Sequence, residues 1–146
     1  TVPFPQPGHE QVTLDALEAE CRKPDTAAFI VEPLVLGAGG MLMYPAEVLR
    51  QMRAICAAHG VLFIADEVMT GWGRTGTLLA CDQAGVVPDI LCLAKGLTGG
   101  AMPLAVTRAW LVMRDADGVA LGGITLDYDA CPDLAGLGRL ADFVKP

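Results

Sequence analysis

The sequence predicts an α/β domain with a mostly parallel sheet, helices on both faces, and one antiparallel strand after a lysine. Three observations carry that expectation. Residues 61–65 (VLFIA) and 88–94 (PDILCLA) are apolar runs of strand length without polar alternation, the mark of strands buried on both faces as in parallel sheets. Strand-like and helix-like stretches alternate along the chain, the order that builds a parallel sheet. Finally, only about eight residues separate Lys95 from the next apolar stretch. A parallel crossover needs at least ~10–12 residues, so those two strands are antiparallel if they are neighbours.

Each element follows in order. Residues 1–10 are a proline-rich extended lead-in. Residues 11–21 read as a helix with Val12, Leu14, Ala16, Leu17 and Ala19 as its apolar positions. A strand over 27–31 is ended by Glu32-Pro33, and Gly37 to Gly40 form a flexible loop. Residues 45–59 give the clearest helix. Pro45 suits its first position, Glu47 its first turn, and Val48, Met52, Ile55 and Cys56 an apolar stripe, with Gly60 at the position just past the end. The strand at 61–65 stops at Asp66-Glu67. A glycine-punctuated loop (69–77), a short helix (78–84), the strand ending at Lys95, a loop (GLTGGAM) and a strand over 103–107 complete the readable part.

Composition narrows the function classes. The 146 residues are 53% hydrophobic with a net charge of −7. No basic cluster suited to a phosphate backbone is present, which argues against nucleic acid as a partner. No apolar run approaches the ~20 residues of a membrane helix, and the N-terminus shows no secretory signal, so no membrane partner and a cytoplasmic location are expected. Cys21, Cys56, Cys81, Cys92 and Cys131 are scattered with no CxxC, as in a reduced intracellular chain. Cys56 and His59 form a Cys-x-x-His pair without a second pair at zinc spacing, so no metal is expected. The sequence has neither Ser nor Asn, which removes a serine nucleophile and N-glycosylation.

In open α/β sheets ligands bind beyond the carboxyl ends of the strands, and two strands here end in charge at that edge, at Asp66 and Lys95. Alternation puts Leu62, Ile64, Asp66 and Val68 on one face and Phe63, Ala65 and Glu67 on the other. An Asp, a Lys and a small apolar residue are what pyridoxal 5'-phosphate requires. It needs a carboxylate at the ring nitrogen, an amine to bond, and an apolar side chain on the ring. On charges alone, a plain Asp–Lys ion pair explains the same two residues.

VLFIADEVMTGWGRTG (61–76) followed by PDILCLAKGLTGG (88–100) resembles the hallmark segment of class III pyridoxal-phosphate aminotransferases. Asp66 and Lys95 stand 29 residues apart, as in that family. The resemblance runs from about Ala27 to Thr107. It implies the large-domain segment of a fold-type-I transferase over 1–113, leaving 114–146 unassigned. It implies that Lys95 is the catalytic, cofactor-bonding lysine, that Asp66 pairs with the ring nitrogen, and that Val68 packs on the ring. Glu32 matches a substrate-side acid of the family; as a strand-end acid it can equally cap a turn. Trp72 and Arg74 match loop-holding positions, and Met69 replaces a glutamine that bonds the cofactor hydroxyl in many members. The stretches 37–44 and 89–100 resemble one branch, whose reaction moves an amino group from S-adenosylmethionine to 8-amino-7-oxononanoate in biotin biosynthesis. A small-molecule amino donor, a keto acceptor and a homodimer are implied. The family's phosphate-binding turn, its small-domain arginine and its His-Gly-x-Thr stretch find no match here, and 114–146 read as turn-rich. A truncated, inactive relic and another class III enzyme, such as an omega-aminotransferase or aminomutase, are the alternatives.

Overall fold

A computed structural model describes residues 1–114 and 120–129, with side chains through residue 108. Helix α1 (Glu10–Cys21) leads to strand β1 (Ala28–Val31), the short strands β2 (Val35–Leu36) and β3 (Leu42–Met43), and helix α2 (Ala46–Ala58). Strand β4 (Leu62–Asp66), helix α3 (Ala80–Ala84), strand β5 (Ile90–Leu93), a 3-10 turn (Lys95–Leu97), and strands β6 (Val106–Arg114) and β7 (Ala120–Asp129) follow. The main sheet has the order β1-β4-β5-β6-β7. β1, β4 and β5 are parallel, with Val31 opposite Ala65 and Asp66 opposite Cys92. β5 and β6 are antiparallel, Leu93 opposite Val106, as the short connection predicts.

Packing follows the pleat. Phe63 and Ala65 are fully buried and join one cluster with Leu14 and Leu17 of α1, Val48, Leu49 and Met52 of α2, and Ala80 and Ala84 of α3. All three described helices therefore share the face of β4 that carries Phe63 and Ala65. On the opposite pleat Ile30 is 60% and Leu62 43% exposed, and no described helix covers it. The two-sided cover that the apolar runs predict is thus present on one side among the described residues. No described helix is long and apolar enough to cross a membrane.

Local chemistry accounts for most element ends. Pro45 is the residue before the first helical turn of α2 and not its first position, and Gly60 follows the helix at φ 68°, a conformation glycine adopts without strain. Arg50 and Arg53 of α2 donate to the Ala84 and Val87 carbonyls, each at 3.0 Å, which ties the helix to the α3–β5 connection. Asp89 accepts from the Phe63 N–H at 2.7 Å and pairs with Arg53 at 3.1 Å, locking the start of β5 to β4. Two elements depart from the sequence expectation. The Gly37–Gly40 loop is the turn of a β2–β3 hairpin, with Leu36 opposite Leu42. The strand expected at 103–107 runs instead from Val106 to Arg114, and β7 pairs along it as a hairpin within the stretch that reads as turn-rich. Residues 130–146 lie outside the described residues.

Candidate active site

Three parallel neighbours end at one edge of the sheet, each followed closely by a charged residue. Glu32 lies one residue past the Val31–Ala65 pair, Asp66 closes β4, and Lys95 stands two residues past the end of β5. The fold thereby turns three residues distant in sequence into one edge cluster, the location where open α/β sheets bind ligands. Glu32, Asp66, Val68 and Lys95 all line a single cavity of about 420 Å³, together with Gly37, Ala38, Met41 and Met69. Every site residue that the sequence nominates is brought together there. A second cavity of about 540 Å³ runs along β1 from the N-terminal segment to Glu32 and Asp66, but it lacks the lysine.

The charged groups are held differently. Asp66 is half-buried, and its Oδ1 accepts from the Val68 N–H at 3.1 Å, a local turn that fixes carboxylate and Val68 relative to each other. Lys95 is exposed. The ion pairs among the described residues are Arg22–Glu18, Lys23–Glu20, Arg50–Glu47 and Arg53–Asp89. Asp66 and Lys95 share a cavity without being one of them, so the plain ion-pair explanation of these two residues is not what the fold shows. Glu32 accepts from the Gly37 N–H at 2.8 Å and the Ala38 N–H at 3.4 Å. Its turn-capping role is therefore present, and it coexists with a place in the cavity wall. Buried Tyr44 donates to the Glu32 carbonyl at 2.8 Å, and burial pushes the Tyr44 hydroxyl far above the usual phenol range.

Glu67 has the opposite environment. It is fully buried and accepts from the Thr70 hydroxyl at 2.8 Å, the Ala80 N–H at 2.9 Å and the Cys81 N–H at 2.8 Å. The strand-face argument separates it from Asp66 correctly. Its partners are not readable from the sequence, because the loop that returns α3 to β4 has no periodic signal. Of the Cys56-His59 pair, Cys56 is buried and His59 Nε2 lies 3.8 Å from Glu18. No group of three or more His, Cys, Asp or Glu among the described residues is arranged to hold a metal ion.

Parallel strands with helices and an antiparallel strand next in the sheet give this chain the fold of type I pyridoxal-phosphate aminotransferases, the class to which its structural neighbours belong. The chain belongs to the class III aminotransferase family, whose profile matches residues 4–120. It is 52% identical over 106 residues to the adenosylmethionine-8-amino-7-oxononanoate aminotransferase of Synechococcus elongatus, covering 73% of this chain and 25% of that one. It is 59% identical over 83 residues to the enzyme of the same name from Nitratidesulfovibrio vulgaris, covering 57% and 15%. Among solved structures, the ornithine delta-aminotransferase of Plasmodium falciparum matches with a TM-score of 0.62 and 44% identity, covering 64% of this chain and 24% of that one. The chain thus spans a quarter or less of the length of these relatives.

The family is one of pyridoxal-phosphate enzymes, and the cavity chemistry fits the ring end of that group. It offers a carboxylate, an amine and apolar walls from Val68, Met69 and Met41, in a volume within the ordinary ~300–1,000 Å³ of small-molecule sites. Lys95 is the one basic residue lining it, so the phosphate end finds no further cation among these lining residues.

Proposed function

We propose that the full-length protein transfers an amino group from S-adenosylmethionine to 8-amino-7-oxononanoate in biotin biosynthesis, using pyridoxal phosphate in the 420 Å³ cavity. The observation that carries the reading is the convergence of Asp66, Val68 and Lys95 on that cavity. The relatives named for this reaction support the substrate pair. A homodimer in the cytoplasm is part of the same proposal.

When bound, pyridoxal phosphate supplies an electron sink for the carbon that loses or gains the amino group. Asp66 would hold the proton on its ring nitrogen, because a carboxylate there favours the protonated, cationic ring. Val68, tied to Asp66 through its own N–H and lining the same cavity, would offer the ring an apolar side chain. The Lys95 amine bonds the cofactor at rest. When not engaged with the cofactor, the same Lys95 amine would serve as the general base and then acid that takes up and returns a proton. Glu32 shapes the substrate side by holding Gly37 and Ala38 at the mouth.

Borohydride reduction of the chain with pyridoxal phosphate, followed by peptide mass mapping, tests the site. The expected result is a pyridoxyl group on Lys95. Modification confined to Lys23 or Lys145 would remove the basis of the proposal. The substrate assignment is tested in a chimera in which this chain replaces the matched stretch of the Synechococcus elongatus relative. Formation of 7,8-diaminononanoate supports it, whereas amino transfer to other keto acids alone moves the chain to another branch of the family. That Lys95 is the one cation among the described lining residues favours one other reading, a chain that binds the cofactor weakly and does not turn over.

A further inference from the structure

Lys95 leaves β5 in an uncommon backbone conformation. Its φ is 38°, in the left-handed region that residues with a Cβ rarely adopt. Trp72, on the loop after Val68, has φ 64° and is likewise an outlier for a bulky residue. The two meet through Gly96. A Cβ placed on Gly96 would lie 2.7 Å from the Cβ and Cδ1 of Trp72 and 2.8 Å from its Cγ, so the tryptophan side chain sits directly on the glycine backbone. The base of the Trp72 loop is itself fastened, because Thr70 donates to the fully buried Glu67. The lysine turn is closed from its own side by the Leu97 N–H on the Ala94 carbonyl at 3.1 Å. Together these contacts connect Glu67, Thr70, Trp72 and Gly96 to the backbone of Lys95.

We propose that Trp72 is a positioning residue: seated on Gly96, it holds the Lys95 turn in its left-handed conformation and sets the placement of the Lys95 amine relative to Asp66. The proposal rests on the reading of Lys95 as the cofactor-bonding lysine. Trp72 lines neither cavity and is 40% exposed, so its effect on the amine passes through Gly96. Left-handed conformations at residues with a Cβ persist only where surrounding contacts over-determine them. Removing the indole leaves the lysine turn free to relax towards commoner backbone angles, which shifts the amine. Misplacement of a reacting group by about 1 Å costs as much as a hundredfold in rate.

The chain supplies an internal standard for the test. Lys23 is exposed, lines neither cavity and pairs with Glu20 at 2.6 Å. Pyridoxal phosphate and borohydride are applied to the purified chain, and the ratio of pyridoxyl label at Lys95 to that at Lys23 is read by peptide mass mapping at an early time. Trp72→Ala is expected to lower the ratio about tenfold with an unchanged thermal midpoint. Trp72→Phe, which keeps a ring over Gly96, stays within about twofold, and Gly96→Ala falls like Trp72→Ala. A ratio unaffected by Trp72→Ala overturns the proposal, as does an equal loss in Trp72→Phe and Trp72→Ala. Should Gly96→Ala fail to fold, the two Trp72 variants decide alone. A parent chain with no label on Lys95 at all overturns the reading of Lys95 itself, an outcome distinct from the others.

Discussion

The two faces of β4 carry adjacent carboxylates into different surroundings. Glu67 turns towards the helices, is fully buried, and gives both its oxygens to donors from the loop and from α3. Asp66 turns the other way, is half-buried, and accepts one bond from its own chain two residues on. One carboxylate is consumed by the fold, and the other keeps hydrogen-bonding capacity facing a cavity. A single residue of register therefore separates a structural acid from one that can serve chemistry, since strand side chains alternate with period two.

The largest effect expected from this contrast is on stability. Glu67→Ala leaves the Ala80 and Cys81 N–H groups and the Thr70 hydroxyl without their acceptor in a dry environment. Each orphaned donor costs roughly 1–3 kcal/mol, so a loss of at least about 3 kcal/mol is expected in urea unfolding. Asp66→Ala removes one half-exposed bond and should cost about 1 kcal/mol or less. Equal destabilisation by the two substitutions would show that the faces are not energetically distinct.

The next effect reverses the ranking. In the chimera with the Synechococcus elongatus relative, Asp66→Asn retains the hydrogen bond to Val68 and a nearly identical shape. It cannot hold the ring-nitrogen proton electrostatically, and turnover should fall on the order of a hundredfold while the unfolding midpoint stays put. Glu67→Gln in the same chimera should lower stability, with turnover per folded molecule much less affected. Full activity in Asp66→Asn beside a dead but folded Glu67→Gln would reverse the assignment of the faces.

How much of this was legible in the sequence follows from which signals are local. The parallel strands read clearly because VLFIA and DILCL are apolar without alternation, and α2 read clearly because Val48, Met52 and Cys56 recur at helical spacing before Gly60. The antiparallel β6 was legible from a connection too short for a crossover. The β2–β3 hairpin was not, because two-residue strands carry no periodicity. β7 was hidden by Gly122-Gly123 and by Asp127 and Asp129, which read as turn residues. Strand ends and motif spacing point to Glu32, Asp66, Val68 and Lys95, and these four line one cavity. The Trp72–Gly96 contact and the Glu67 partners were missed because they depend on how loops fold back through space.

The smallest expected effect concerns the buried face alone and appears at high pH. Burial pushes the Cys56 thiol up to about 12, with neighbouring Cys21 adding to the shift, and burial also raises Cys21 and, with Glu67 beside it, Cys81. These groups hold their protons in the folded chain at pH values where the unfolded chain releases them. Their contribution is therefore complete below about pH 9, the ordinary thiol range, and is lost as the pH rises towards 12. Between pH 8 and 10.5 the chain should lose about 1–2 kcal/mol through Cys56, with buried Tyr44 acting in the same direction at still higher pH. Urea midpoints measured across that range check the slope. Cys56→Ala should flatten it, because alanine has no proton to release, although the variant is less stable at every pH. A slope unchanged by Cys56→Ala would mean that the alkaline loss arises from groups other than Cys56.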